Sequence, residues 1–189
     1  MADDRDRVLG RHLDPRVLAA EGARGLTHRA VDRYGEEPPG TASDYFRSRG
    51  DLLAGVVGRI GERIAPDPAV LARLRAAPPD RASFAAHLRD IVARMTASRE
   101  VALAWFEMRL EAARRPEVAA LMGDVLAAGF AADVASNADA GLPGGAAEIA
   151  LFHYAVDGLL LDRLTVSIDP ATPTDAVVDA LVAGLLPDV

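Results

Sequence analysis

An all-α fold is what this sequence predicts, and three observations predict it. Half of the 189 residues are apolar, and Ala, Leu and Val supply most of that half; Ala and Leu favour helices. There is no Asn-Gly hairpin turn and no convincing run of alternating Val, Ile and Thr, so strand signals are scarce. The apolar residues recur at helical spacing between prolines and glycines.

The elements follow in order. Residues 5–21 have helical spacing, with Val8, Leu9, Leu13, Val17 and Leu18 on one side. Asp14-Pro15 falls inside this stretch, and an interior proline costs about 3 kcal/mol. The dipeptide also reads as an N-cap with a first-turn proline, giving two short helices or one kinked helix that Gly22 ends. Thr27 is a helix cap with Leu26 and Val31 as its hydrophobic staple, and the helix runs to about Tyr34. Gly35 begins a turn. Pro38-Pro39-Gly40-Thr41 opens a short helix ending near Phe46, and Ser48 caps the next, to Ile64, whose face is Leu52, Leu53, Val56, Val57 and Ile60. Proline-bounded helices follow at 69–77, 81–98, 99–115 and 117–138. GLPGG at 141–145 is a loop, and helices at 146–167 and 173–186 complete nine or ten.

Composition sets limits. Every one of the 21 basic residues is Arg, and 28 acidic residues give a net charge of −7. Residues 1–60 hold ten Arg and ten acidic residues, so any nucleic acid is expected at this neutral end. The absence of Cys excludes thiol chemistry and disulfides. MADDRDRVLG is not a signal peptide, and the apolar runs are interrupted within about ten residues, too short for a bilayer. A soluble cytoplasmic protein is expected.

GARGLTHRAVDR at 22–33 and PPGTASDYFRSRGDLL at 38–53 resemble the helix-turn-helix signature of the TetR family of one-component transcriptional regulators. WFEMRLEAARRPEV at 105–118 and DGLLLDRL at 157–164 resemble segments of its C-terminal domain. The resemblance implies a DNA-binding domain over residues 1–48 and a ligand-binding, dimerising domain over 49–189. A dimer would place two recognition helices about 34–36 Å apart on a palindromic operator. Thr27 and Arg29 would contact the DNA backbone, Thr41, Ala42 and Ser43 would face the bases, Tyr45 would meet a phosphate, and Arg47 and Arg49 the flanking backbone. The chain departs from the family pattern in its turn, where Glu36 replaces a glycine and Glu37 an apolar plug. Asp14-Pro15 in the first helix and Asp44 in the recognition helix are further departures. Glu37 is expected to turn outward, because an unpaired buried carboxylate costs several kcal/mol.

The body is expected to enclose an apolar pocket. Candidate lining residues are Phe84, Met95, Trp105, Phe106, Met108, Met122, Phe130, Phe152 and Tyr154, with His87, Glu107, Arg109, His153 and Asp157 as polar candidates. Trp105 is the only tryptophan. Most large aromatics in such a body are simply core. His153 and Asp157 stand four apart on an apolar helix and can share a face, as a polar anchor or an acid–base pair. Were the protein an enzyme, His153, Asp157 and Arg109 would be the catalytic set. His12, His28, His87 and His153 lack metal-ligand spacing, and neither a phosphate-cradling loop nor a dinucleotide fingerprint is present, so no metal or cofactor is expected. The helices at 146–167 and 173–186 are apolar on two faces, which predicts a homodimer. The leading reading is a dimeric repressor controlled by a small apolar ligand. The alternative is a protein of the same frame that has lost DNA and serves as a carrier or enzyme.

Overall fold

The computed structural model describes residues 13–186; the first part of the predicted 5–21 helix, His12 included, lies outside them. Ten helices and no strand occur among the described residues: α1 (Arg16–Gly25), α2 (His28–Tyr34), α3 (Thr41–Tyr45), α4 (Arg49–Ile64), α5 (Pro68–Arg75), α6 (Arg81–Thr96), α7 (Arg99–Ala112), α8 (Pro116–Asp139), α9 (Ala146–Leu164) and α10 (Thr174–Leu185). They form two compact units. The first is residues through Ala65 with Ser98–Asp124, and the second is Pro66–Ala97 with the chain from Val125 onward.

In the first unit α1 packs along α7, and α4 packs on α7 as well. Val17 and Leu18 of α1 and Val101, Ala102, Ala104 and Met108 of α7 are all buried. Leu52, Leu53, Val56, Val57 and Ile60 of α4 are all buried, as their spacing requires. Ser48 opens α4 with a reciprocal cap: its hydroxyl accepts from Asp51 N at 3.1 Å, and Asp51 accepts from Ser48 N at 2.9 Å. At the start of α1, the Asp14 carboxylate accepts from Arg16 N at 2.9 Å, beside Pro15. At Gly22 the regular helix of α1 breaks, as its glycine predicts. Gly22 takes a left-handed conformation, φ 66° and ψ 178°, and the helix resumes to Gly25.

In the second unit α6 packs against both α9 and α10, and α9 against α10. Phe84 of α6 meets Phe152 of α9 with ring centroids 4.8 Å apart, and Leu88, Val92, Val156, Leu160, Val178 and Val182 on the same three helices are buried as well. The turn after α9 is tied by polar bonds. Arg163 donates to Asp162, Ser167, Asp169 O and Thr172 O at 2.7–3.2 Å, and Asp162 also accepts from Ser167 Oγ at 2.6 Å and Ile168 N at 2.8 Å.

Two faces are left open. On α9, Leu151, Tyr154 and Leu161 are 46%, 71% and 47% exposed. In α8, only 11% of an 18-residue window of mean hydropathy 1.6 is buried. The interrupting glycines and aspartates in this segment do not shorten the helix. By length and composition α8 would therefore fit a bilayer, contrary to the reading of short interrupted runs.

Candidate functional site

The head of the first unit is built from α2 and α3. Thr27 caps α2, its hydroxyl accepting from Ala30 N at 3.2 Å. Past Gly35 the chain turns at Glu36, whose φ of 57° is the only positive value on a non-glycine among the described residues. Glu37 N then donates to Asp32 O at 2.8 Å. A left-handed residue with a Cβ costs about 1–2 kcal/mol relative to ordinary helical geometry. The sequence thus lacks the turn glycine but keeps the turn, at that cost. Glu36 is exposed and Glu37 half-buried, so neither acts as an apolar plug.

The start of α3 is held by Asp32. This carboxylate is 5% exposed. Its Oδ2 accepts from Gly40 N and its Oδ1 from Ala42 N, each at 2.7 Å. α3 has only five residues and its cap, Gly40, has no side chain to offer. Asp32 supplies from α2 the acceptor and the negative charge that a helix N-terminus favours. At the other end, His28 Nε2 lies 2.6 Å from Phe46 O; a carbonyl only accepts, so Nε2 carries the proton. The sequence reading missed Asp32. The available signal was a carboxylate directly after the apolar Ala30-Val31 pair, eight residues before a glycine unable to cap its own helix.

The nominated DNA-facing residues divide. Thr27, Arg29, Ser43 and Arg47 are exposed, as is Asp44, and Thr41 and Tyr45 are half-exposed. The hydroxyls of Thr41 and Ser43 donate to Pro38 O and Gly40 O, both at 2.7 Å. Two of the nominated residues are held inward. Ala42 is 1% exposed and packs inward instead of facing bases, because it stands on the side of α3 that Asp32 holds. Arg49 does not reach outward: its guanidinium donates to Leu26 O at 2.8 Å and to Ala23 O.

The nominated ligand residues fall into both units. Trp105, Phe106 and Arg109 are half-buried and Met108 is fully buried on α7; Met122, 1% exposed, also belongs to the first unit. Glu107 of α7 accepts from Ala23 N at 3.2 Å. In the second unit Phe84, Met95 and Phe152 are buried, and His87, Phe130, His153 and Asp157 are half-buried. Tyr154 points outward. His153 Nε2 lies 3.1 Å from Asp133 Oδ2, and its ring meets Phe130 edge-on at 5.7 Å. A groove of about 300 Å³ on the second unit is lined by Arg81, Ala82, Ala85, Arg89, Asp179, Val182 and Ala183, none of them nominated from sequence.

His87 has the clearest chemical asymmetry. Its Nδ1 lies 2.8 Å from Ser83 O, so Nδ1 carries the proton of the neutral ring. Its Nε2 is then a bare acceptor, buried without a partner. Leaving such an atom unpaired costs about 1–3 kcal/mol.

The comparisons agree with this architecture. The profile of the Tetracyclin repressor-like, C-terminal domain family matches residues 79–188, more than half of the chain. Among curated proteins no significant match is found. A solved structure of a TetR-family member from Streptomyces coelicolor A3 aligns with 21% identity and a TM-score of 0.66, over 97% of this chain and 99% of that one. The multidrug binding protein EbrR complexed with proflavin aligns at 22% identity and TM-score 0.58, over 96% and 98% of the chains. A candidate transcriptional regulator from Saccharomonospora viridis in complex with choline aligns at 18% identity and TM-score 0.61, over 98% and 94%. At these identities the structural likeness speaks for the fold.

Proposed function

This chain belongs to the TetR family of transcriptional regulators, and on that premise we propose that it is a cytoplasmic, homodimeric, ligand-controlled DNA-binding protein that acts as a repressor. The observation that carries this reading is the Asp32 brace. A five-residue helix is held at both ends, by Asp32 and by His28, with Thr27, Arg29, Ser43 and Arg47 turned to solvent. Such a head fits a major groove, and a palindromic operator follows from two-fold symmetry. Residues 1–48 carry the reading, and residues 49–189 the ligand and the dimer contact.

The exposed stripe Leu151–Tyr154–Leu161 on α9 and the apolar, largely unburied helix α8 support dimerisation, since two such helices from each chain make a four-helix bundle. The ligand is a small, mostly apolar molecule. EbrR is complexed with proflavin and the Saccharomonospora viridis protein with choline, which supports a small molecule as the ligand. Phe84, Phe152 and Met95 offer apolar contact, and His87 Nε2 asks for a ligand N–H or O–H. Ligand controls DNA by favouring one body shape over another, with a coupling of about 1–3 kcal/mol.

Gel-shift and anisotropy measurements against a duplex recovered from a random pool test the reading. Binding that weakens with salt, and weakens uniformly across sequences in Arg29→Ala and Arg47→Ala, is expected. A second reading, a carrier or enzyme that has lost DNA, is favoured by the inward Ala42 and Arg49 and the exposed Glu36 and Asp44. It predicts no duplex binding at low salt, and ligand binding that survives charge reversal at Arg47.

A further inference from the structure

The break in α1 at Gly22 has a purpose visible in its neighbours. With φ at 66°, Gly22 takes a conformation that a residue with a Cβ avoids, and a Cβ there would lie 3.1 Å from Glu107 Oε1. The break leaves the next amide, Ala23 N, outside the regular helical ladder, and Glu107 from α7 accepts it at 3.2 Å. On the other side of the same residue, Ala23 O accepts from Arg49 of α4, whose guanidinium also holds Leu26 O at 2.8 Å. Ala23 itself is 1% exposed. One buried alanine therefore has an anion on its N–H and a cation on its C=O. The two charged groups come from helices that α1 does not adjoin in sequence.

We infer that Glu107 and Arg49 clamp the α1–α2 junction, and that Glu107 is a positioning residue through which α7 sets the attitude of the DNA-reading helices; the second part rests on the regulator reading. The path is short. Leu26, held by Arg49, directly precedes Thr27, the cap of α2, and Asp32 of α2 holds the start of α3. A displacement of the Glu107 carboxylate along α7 releases Ala23 N–H into an apolar setting. Leaving that amide unpaired is costly enough for the junction to move with the carboxylate instead. Glycine at 22 is favoured by its backbone angle, and a Cβ there would also press on the Glu107 carboxylate at 3.1 Å. Trp105, Phe106 and Met108 stand on the same helix as Glu107, so anything that shifts α7 acts on the clamp.

Three variants of the full chain test this: Glu107→Ala, Glu107→Gln and Gly22→Ala. Hydrogen exchange is followed on peptides covering residues 22–34, 40–46 and 149–164, and DNA affinity on a duplex recovered by the wild type. Glu107→Ala and Gly22→Ala are expected to speed exchange at 22–34 and 40–46, leave 149–164 unchanged, and weaken DNA binding about tenfold, the size of one charge-assisted hydrogen bond. Glu107→Gln keeps the acceptor oxygen and should recover most of both losses. Unchanged exchange at 22–34 in Glu107→Ala, or exchange that rises equally at 149–164, overturns the clamp. Faster exchange with undiminished DNA affinity overturns the positioning role. A wild type that recovers no duplex defeats the regulator reading, and with it the positioning role, while the exchange arms still decide the clamp.

Discussion

Of the five residues of α3, one is buried, Ala42, whereas α9 alone buries six: Ile149, Phe152, Val156, Leu159, Leu160 and Leu164. The second unit holds its helices together by apolar area, which is non-directional and forgives changes of shape at constant volume. The head built from α2 and α3 has too little area for that. It is fixed by directed bonds from Asp32, His28 and Thr27, each with one correct donor and acceptor. The difference teaches where this chain tolerates change. Volume matters in the second unit, and hydrogen-bond polarity matters in the head.

The largest effect probes the apolar side. Phe152→Ala removes the ring that meets Phe84 and should lower stability by about 3–5 kcal/mol in urea unfolding; a loss under about 1 kcal/mol would mean that this layer is not held by area. Next comes the pair that sharpens the contrast. Asp32→Asn changes no volume, yet it sets an NH2 against a backbone N–H, with an expected cost of about 1–3 kcal/mol and fast exchange at residues 40–46. Leu160→Met changes shape at nearly constant volume in a residue 1% exposed, and should cost less than about 1.5 kcal/mol with no loss of protection in the head. A Met variant more disruptive than the Asn variant would break the comparison. Glu36→Gly relieves the left-handed turn and should gain about 0.5–1 kcal/mol, the glycine's own chain entropy offsetting part of the relief. Calorimetry reads it as a raised Tm.

The smallest effect is a pH dependence. Hydrogen bonds from Ser167 and then Ile168 N hold the Asp162 carboxyl below its ordinary value of 3.8, against a small opposing push from burial. A depressed carboxyl stabilises the fold above its unfolded value and loses that contribution as pH falls through its folded one. The Tm difference between wild type and Asp162→Asn should therefore be constant at neutral pH and shrink below 3.8.

What the sequence disclosed was local. The caps at Thr27 and Ser48 and the inward face of α4 depend on neighbours within one or two turns, and the structure realises them. Asp32 was missed because its role depends on where residues 40 and 42 return in space, eight and ten positions on. The bonds of Arg49 and Glu107 were out of reach for the same reason. Their partners at Ala23 and Leu26 lie 23 to 84 residues away, and nothing in local spacing announces a bond to a main-chain atom. The break at Gly22 is legible because glycine commonly ends helices; the Glu107 carboxylate beside it is invisible until α7 lies alongside.

For the DNA-binding role proposed above, Thr41 and Ser43 carry a consequence. Both hydroxyl protons are already committed to the chain's own carbonyls, Pro38 O and Gly40 O. What each oxygen still presents is lone pairs. To an approaching base edge the two residues are therefore acceptors alone, although a serine or threonine in isolation could play either part. The amino groups of cytosine and adenine can complete such a contact, whereas guanine O6 and thymine O4 cannot. The fold has given these two side chains a polarity that their chemistry leaves open.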